Sequence, residues 1–194
     1  MKKSIFLTVL LGLFCVSMAI ADPGDTLWTR TYGGSESDEG RCVQQTTDGG
    51  YIISGQTQSF GAGGKDIWLL KTDANGDTLW TRTHDEGIGR DDYGYCVQQT
   101  TDGGYIIGGY TRTSTGGNDF SLVKTDSNGD ILWTRAYGGS SPDYGQSAQQ
   151  TSDGGYIMTG YTMSFGAGNY DVYLVKTDAN GDTLWTRVYG DTDG

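Results

Sequence analysis

The stretch TDGGYIISGQTQSFGAGGKDIWLLKTDANGDTLWTR, from Thr47 to Arg82, decides the fold, because the chain says it three times. It returns as TDGGYIIGGYTRTSTGGNDFSLVKTDSNGDILWTR from Thr101 to Arg135, and as SDGGYIMTGYTMSFGAGNYDVYLVKTDANGDTLWTR from Ser152 to Arg187. The LWTR phrases lie 52, 53 and 52 residues apart, the first at Leu27, ahead of any complete unit. A period of ~50 residues marks a repeat architecture, and recognising it precedes every other reading.

Punctuation divides each unit into four strands. Asp48-Gly49-Gly50 ends a first strand, Arg41 to Thr47; the aromatic and β-branched run Tyr51 to Thr57 is the second. Ile67 to Thr72 is the third, and Asn75-Gly76 supplies the positive-φ residues of a hairpin into the fourth, Thr78 to Thr83. Helical periodicity is absent. Both faces of Asp171 to Lys176 carry large side chains, which suits a sheet covered on both sides. The expectation is an all-β partial propeller: three four-stranded antiparallel blades at about 32–83, 84–135 and 136–188, an orphan N-terminal strand at 24–31, and the start of a further repeat at 189–194.

The phrases TYGGSESDEG and TDGGYIISGQTQSFGAGGKDIWLLKTDANGDTLWTR resemble the bacterial seven-bladed β-propeller (SBBP) repeat, and the likeness runs over nearly the whole of 22–194. It departs at Ser54 and at His84 to Gly87, where the Gly-Gly-Ser phrase is lost. Asp171 to Arg187 is also similar to the last two strands of a kelch repeat, the runner-up. Either resemblance implies a propeller, and neither implies a particular ligand.

Lys2 and Lys3 precede an apolar run, Ile5 to Val16, and Ala19-Ile20-Ala21 is a small-x-small cleavage pattern. Residues 1–21 read as a signal peptide, so the chain is expected to be secreted or at the cell surface, without a stable membrane span. Without Lys2 and Lys3 the 13 basic residues become 11 against 24 acidic, a formal −13, which argues against nucleic acid as a partner. Cys42 and Cys96 sit at one position of successive repeats, where Ser147 replaces them. Equivalent positions of neighbouring blades usually exceed the ~7 Å Cα limit for a disulfide, so packing thiols are favoured, with a bridge left open.

Several motifs touch chemistry. Asp73-Ala74-Asn75-Gly76-Asp77 begins like a calcium loop, but His84, Tyr137 and Tyr189 stand where the closing glutamate of each copy belongs, so these read as turns. Asp38, Asp92 and Asp143 recur two residues before a glycine; a repeated turn is the simpler reading and a calcium or sugar site the alternative. Apart from that, no cofactor is expected. His84 is the single histidine and no G-x-S-x-G elbow accompanies it, so a serine triad is disfavoured. The tryptophans of the LWTR strands read as blade packing. The ligand-facing candidates are Phe60, Phe165 and Tyr170, on unequal glycine-rich loops.

Near-interchangeable units favour a non-catalytic scaffold that binds protein or glycan at the bacterial surface; the alternative is part of a carbohydrate-active enzyme or lectin. Three blades fall short of the about four to eight of a closed propeller, so self-association or further blades in a longer chain are expected to cover the end faces.

Overall fold

The computed structural model describes residues 25–85, 90–113 and 117–191. The expected signal peptide and the last three residues fall outside them. Every regular element among the described residues is a strand.

Blade 1 contains β1 (Asp38–Gln45), β2 (Tyr51–Thr57), β3 (Asp66–Thr72) and β4 (Thr78–His84). Blade 2 contains β5 (Asp92–Gln99), β6 (Tyr105–Arg112), β7 (Asn118–Thr125) and β8 (Ile131–Tyr137). Blade 3 contains β9 (Asp143–Gln150), β10 (Tyr156–Thr162), β11 (Asp171–Thr177) and β12 (Thr183–Tyr189). Each is an antiparallel meander in sequence order, as the repeat predicts. The first strands β1, β5 and β9 approach one another on the inside of the arc. This is a partial propeller of three blades.

The turns form for the reasons their residues suggest. The amides of Asn75 and Asp77 donate to the Asp73 carboxylate at 2.8 and 2.9 Å, and Gly76 takes φ 79°. Asp48 closes the other turn and reaches into the blade, where it pairs with Lys71 at 2.8 Å; Lys124–Asp102 and Lys176–Asp153 repeat that pair at 2.9 and 2.8 Å. Strands β1 and β5 each slip register beside a glycine, between Gly40 and Cys42 and between Gly94 and Cys96. The backbones approach so closely there that a Cβ on Gly55 or Gly109 would overlap the carbonyl oxygen of Glu39 or Tyr93.

The core lies between blades. Ile52, Ile67 and Leu69 of blade 1 pack against Val97, Tyr105, Ile107 and Val123 of blade 2. Ile106, Phe120 and Leu122 repeat the arrangement against Ala148, Met158, Tyr173 and Val175 of blade 3. Cys42 and Cys96 are both free; the Cys96 thiol accepts the Ala148 amide at 2.9 Å across this seam, and burial pushes it up to about 11.

Outer strands lock each blade to the next. Trp80 meets Tyr105 edge-on at 5.9 Å and Arg82 reaches Asp130 at 2.9 Å; Trp133 meets Tyr156 at 5.6 Å and Arg135 reaches Asp182 at 3.6 Å. The expected orphan strand is corrected here. Residues 25–32 are not a strand: among the described residues no strand lies beside them to complete a hydrogen-bonded ladder. Their side chains nevertheless dock on blade 1 as β4 docks on blade 2: Trp28 meets Tyr51 at 5.9 Å, and Arg30 reaches Asp77 at 3.2 Å.

Candidate functional site

At the rim where β5 and β9 begin and β6 and β10 end, six tyrosines form a continuous row. Tyr93 stands opposite Tyr110 in the β5–β6 register, with ring centres 4.6 Å apart, and Tyr95 lies 5.5 Å from Tyr110. Tyr110 meets Tyr144 of the next blade edge-on at 5.0 Å. Tyr144 stands opposite Tyr161 at 4.9 Å, and Tyr161 meets Tyr170 at 5.2 Å. Blade 1 closes the row with cations instead of rings: Lys65 lies over Tyr93 and Arg41 over Tyr95, both at 5.5 Å.

A groove runs along this row, lined by Tyr93, Tyr110 and Tyr144 with Asp91, Arg112 and Asn118. Burial, reinforced at Tyr110 by neighbouring phenols, raises the pKa of Tyr93, Tyr110 and Tyr161 above the ordinary phenol value. Tyr93, Tyr110 and Tyr161 thus present neutral hydroxyl donors at the edges of partly buried rings. Such surfaces combine apolar stacking area with directional hydrogen bonds.

Blades 2 and 3 share the row, and blade 1 lacks it. Where blades 2 and 3 carry Tyr93 and Tyr144, blade 1 has Glu39; where they carry Tyr110 and Tyr161, it has Gln56. Sequence reasoning treated the units as interchangeable and missed this asymmetry. The available signal was Tyr93-Gly94-Tyr95, followed by tyrosines at both Tyr110 and Tyr144.

The candidates from the loops divide. Tyr170 is exposed and ends the tyrosine row. Phe60 and Phe165 lie elsewhere, tilted against Trp68 and Tyr173 at 5.8 and 5.2 Å, partly covering blade faces.

Asp38, Asp92 and Asp143 begin β1, β5 and β9 and accept the hydroxyls of Thr57, Thr111 and Thr162 from the neighbouring strand. Asp38 and Asp143 also accept the Gly34 and Gly139 amides, each at 2.8 Å. Against burial, the bonds from Thr57, Gly34 and Ser59 hold Asp38 below the usual carboxylate range. Among the described residues these three acids are not gathered at one point. Asp92 instead lies with Asp66 and Asp85, whose oxygens approach within 4.8 Å of one another. Burial, with the neighbouring acids, lifts Asp66 to about 6.

His84 ends β4 and is buried, with no hydrogen-bond partner at Nε2. Burial and then Arg82 depress it to about 4. Its position in the repeat belongs to Tyr32 and Tyr137, whose hydroxyls donate to the carbonyls of Gly76 and Gly181 at 2.6 Å.

Fold and site together define an arc of propeller blades carrying one aromatic groove on its rim. In comparisons with known proteins, no family model and no curated relative matches the chain.

Proposed function

We propose that this is an exported, non-catalytic propeller-repeat protein of the SBBP type that binds glycan at the bacterial surface through its tyrosine row. The observation that carries this reading is the row's asymmetry: a chain that copies its turns, lysines and tryptophans in every blade sets blades 2 and 3 apart from blade 1 along one groove. Sugar rings present apolar C–H faces flanked by hydroxyls, and half-buried phenols with Asp91, Arg112 and Asn118 beside them offer the matching stack and polar partners. The reading invokes no cofactor. Calcium remains the alternative for the acids at the blade starts, and part of a carbohydrate-active enzyme or lectin the alternative for the whole. A glycosidase would need an accessible carboxyl of raised pKa; of the two carboxyls among the described residues that burial raises, Asp66 is fully buried and Asp119, beside Asp143, is half-buried.

Titration with cello-, xylo-, manno- and chito-oligosaccharides tests it. Tyr110→Ala is expected to weaken binding by at least ~30-fold, as loss of a central aromatic anchor does, while a Phe60→Ala/Phe165→Ala variant keeps its affinity. Absence of binding to every oligosaccharide, or full affinity in a folded Tyr110→Ala protein, defeats the proposal.

A further inference from the structure

At the seam between blades 1 and 2, three carboxyls from different strands converge. Asp66 begins β3, Asp85 directly follows β4, and Asp92 begins β5 of the next blade. The Asp92 amide donates to the Lys65 carbonyl at 2.6 Å, which fixes the start of β5 beside the start of β3. One oxygen from each acid lies within 4.8 Å of the other two, although Asp66 and Asp92 are 0% exposed. Burial strips these acids of water, and their mutual repulsion opposes a full set of charges.

Two observations separate this cluster from an ordinary acidic surface. The first is a buried carboxylate oxygen with no bond to make: Asp66 Oδ2 accepts the Ala62 amide at 2.9 Å, whereas Oδ1 is buried with no hydrogen-bond partner. Buried polar atoms of folded proteins are satisfied as a rule, and an exception of this kind points to an ion or a water. The second is the residue at position 85. Gly33, Gly138 and Gly190 stand there in the other copies, each after the tyrosine that His84 replaces. At the seam of blades 2 and 3 a Cβ on Gly138 would lie 2.2 Å from Asp119 Oδ1 and 2.6 Å from Asp143 Oδ2, the counterparts of Asp66 and Asp92. That position therefore faces both acids, and Asp119 Oδ1 likewise has no hydrogen-bond partner. At the seam of blades 1 and 2 the chain puts a third acid where its other copies keep a glycine.

An acid pressed against two buried ones weakens a seam unless something positive joins them. This seam also lacks the tyrosine-to-carbonyl bond made by Tyr32 and Tyr137, so a cation held from both blades would supply a link in its stead. Carboxylate oxygens suit a hard divalent ion. Calcium bonds oxygen at about 2.3–2.6 Å and accepts irregular geometry, so its opposite ligands stand about 4.6–5.2 Å apart, whereas magnesium demands a near-ideal octahedron and sheds water reluctantly.

We infer that Asp66 and Asp85 of blade 1 and Asp92 of blade 2 bind one calcium ion across the seam, with water completing its shell on the exposed side of Asp85. Calcium binding here is expected whether or not the tyrosine row takes glycan.

Calorimetric titration of the chelator-treated chain from Asp22 onward, which contains every described residue, with calcium chloride and with magnesium chloride tests it. One calcium per chain is expected, with a raised midpoint of thermal unfolding in its presence. Magnesium is expected to bind at least ~10-fold more weakly. Asp85→Gly restores the residue of the other copies, so the fold is kept, and it is expected to weaken calcium binding by at least ~10-fold. Asp66→Asn should do the same, while Asp73→Asn, in a hairpin turn away from the seam, should leave the affinity unchanged. Circular dichroism confirms the fold of each variant. No response to calcium in the parent chain, full affinity in Asp85→Gly, loss of binding in Asp73→Asn, or magnesium binding equal to that of calcium overturns the inference.

Discussion

Replacing His84 with tyrosine should stabilise the protein, and more so in acid. His84 stands where the repeat elsewhere places a tyrosine whose hydroxyl reaches a turn carbonyl in the next blade at 2.6 Å. In its place lies an imidazole only 5% exposed, its Nε2 without a partner. Restoring the hydroxyl over the Gly129 turn adds a hydrogen bond worth about 1 kcal/mol and removes a buried unsatisfied nitrogen costing a similar amount. The expected gain at pH 7.5 is therefore ~1–2 kcal/mol. The pH dependence follows from the depressed pKa. Folding holds His84 at about 4 against an ordinary 6.5, so the folded state binds fewer protons than the unfolded chain between those values. The stability this contributes is complete above pH 6.5 and is lost as pH falls towards 4, by about 2 kcal/mol at pH 5. Tyrosine does not titrate there, so the advantage of His84→Tyr should grow from ~1–2 kcal/mol at pH 7.5 to ~3–4 kcal/mol at pH 5. Urea unfolding followed by tryptophan fluorescence at the two pH values measures both numbers. A variant less stable than the parent, or an advantage that stays constant between pH 7.5 and pH 5, refutes the argument.

Two further predictions concern the repeat itself. Lys71 has a side chain 5% exposed and its partner Asp48 one that is 58% exposed, so the two halves of the pair should not be equivalent. Asp48→Asn leaves a buried ammonium short of a counter-charge and is expected to cost ~1–3 kcal/mol in denaturant unfolding, whereas Lys71→Met returns Asp48 to water and should cost less than ~1 kcal/mol; the reverse ranking would refute burial as the cause. Gly109→Ala drives a methyl into the Tyr93 carbonyl and should prevent blade 2 from closing, read as loss of soluble folded protein. Gly103→Ala, at φ 84° with nothing within 4 Å, should cost only the ~1–2 kcal/mol of its backbone conformation; equal effects of the two changes would remove the steric explanation.

What the sequence disclosed and what it hid divide along a physical line. Turns and strands were legible because their causes are local: Asp73 caps its own hairpin through the amides of Asn75 and Asp77, and Gly76 supplies its positive φ. The segment 25–31 carries the same strand-forming residues as β12, yet a strand is a relation between two chains of hydrogen bonds, and no neighbour among the described residues supplies the other. The expected fourth strand stops at Thr83 because the repeat becomes irregular just beyond it; the pairing of Ile67 with His84 carries β4 one residue further. The tyrosine row was invisible for a different reason. Its pairs depend on the slipped register at Gly94, which sets Tyr93 against Tyr110, and on the step from blade 2 to blade 3, which brings Tyr110 to Tyr144.

That division bears on how such a chain acquires function. At every seam the outer strands make the same three side-chain relations, tryptophan on tyrosine, arginine on aspartate and, except at His84, tyrosine hydroxyl on turn carbonyl. Because those relations are fixed by the outer strands and the turns at the far end, the rim where β5 and β9 begin is free to differ between blades without loosening the seams. Tyr93, Tyr95, Tyr110, Tyr144 and Tyr161 make use of that freedom, adding stacking surface where blade 1 has Glu39, Arg41 and Gln56. Substitutions at Tyr161 and Tyr170, whose ring partners lie within blade 3, should therefore change binding while leaving blade docking intact, and substitutions in the LWTR strands should do the opposite; Tyr110, whose ring meets Tyr144 across the seam, should affect both.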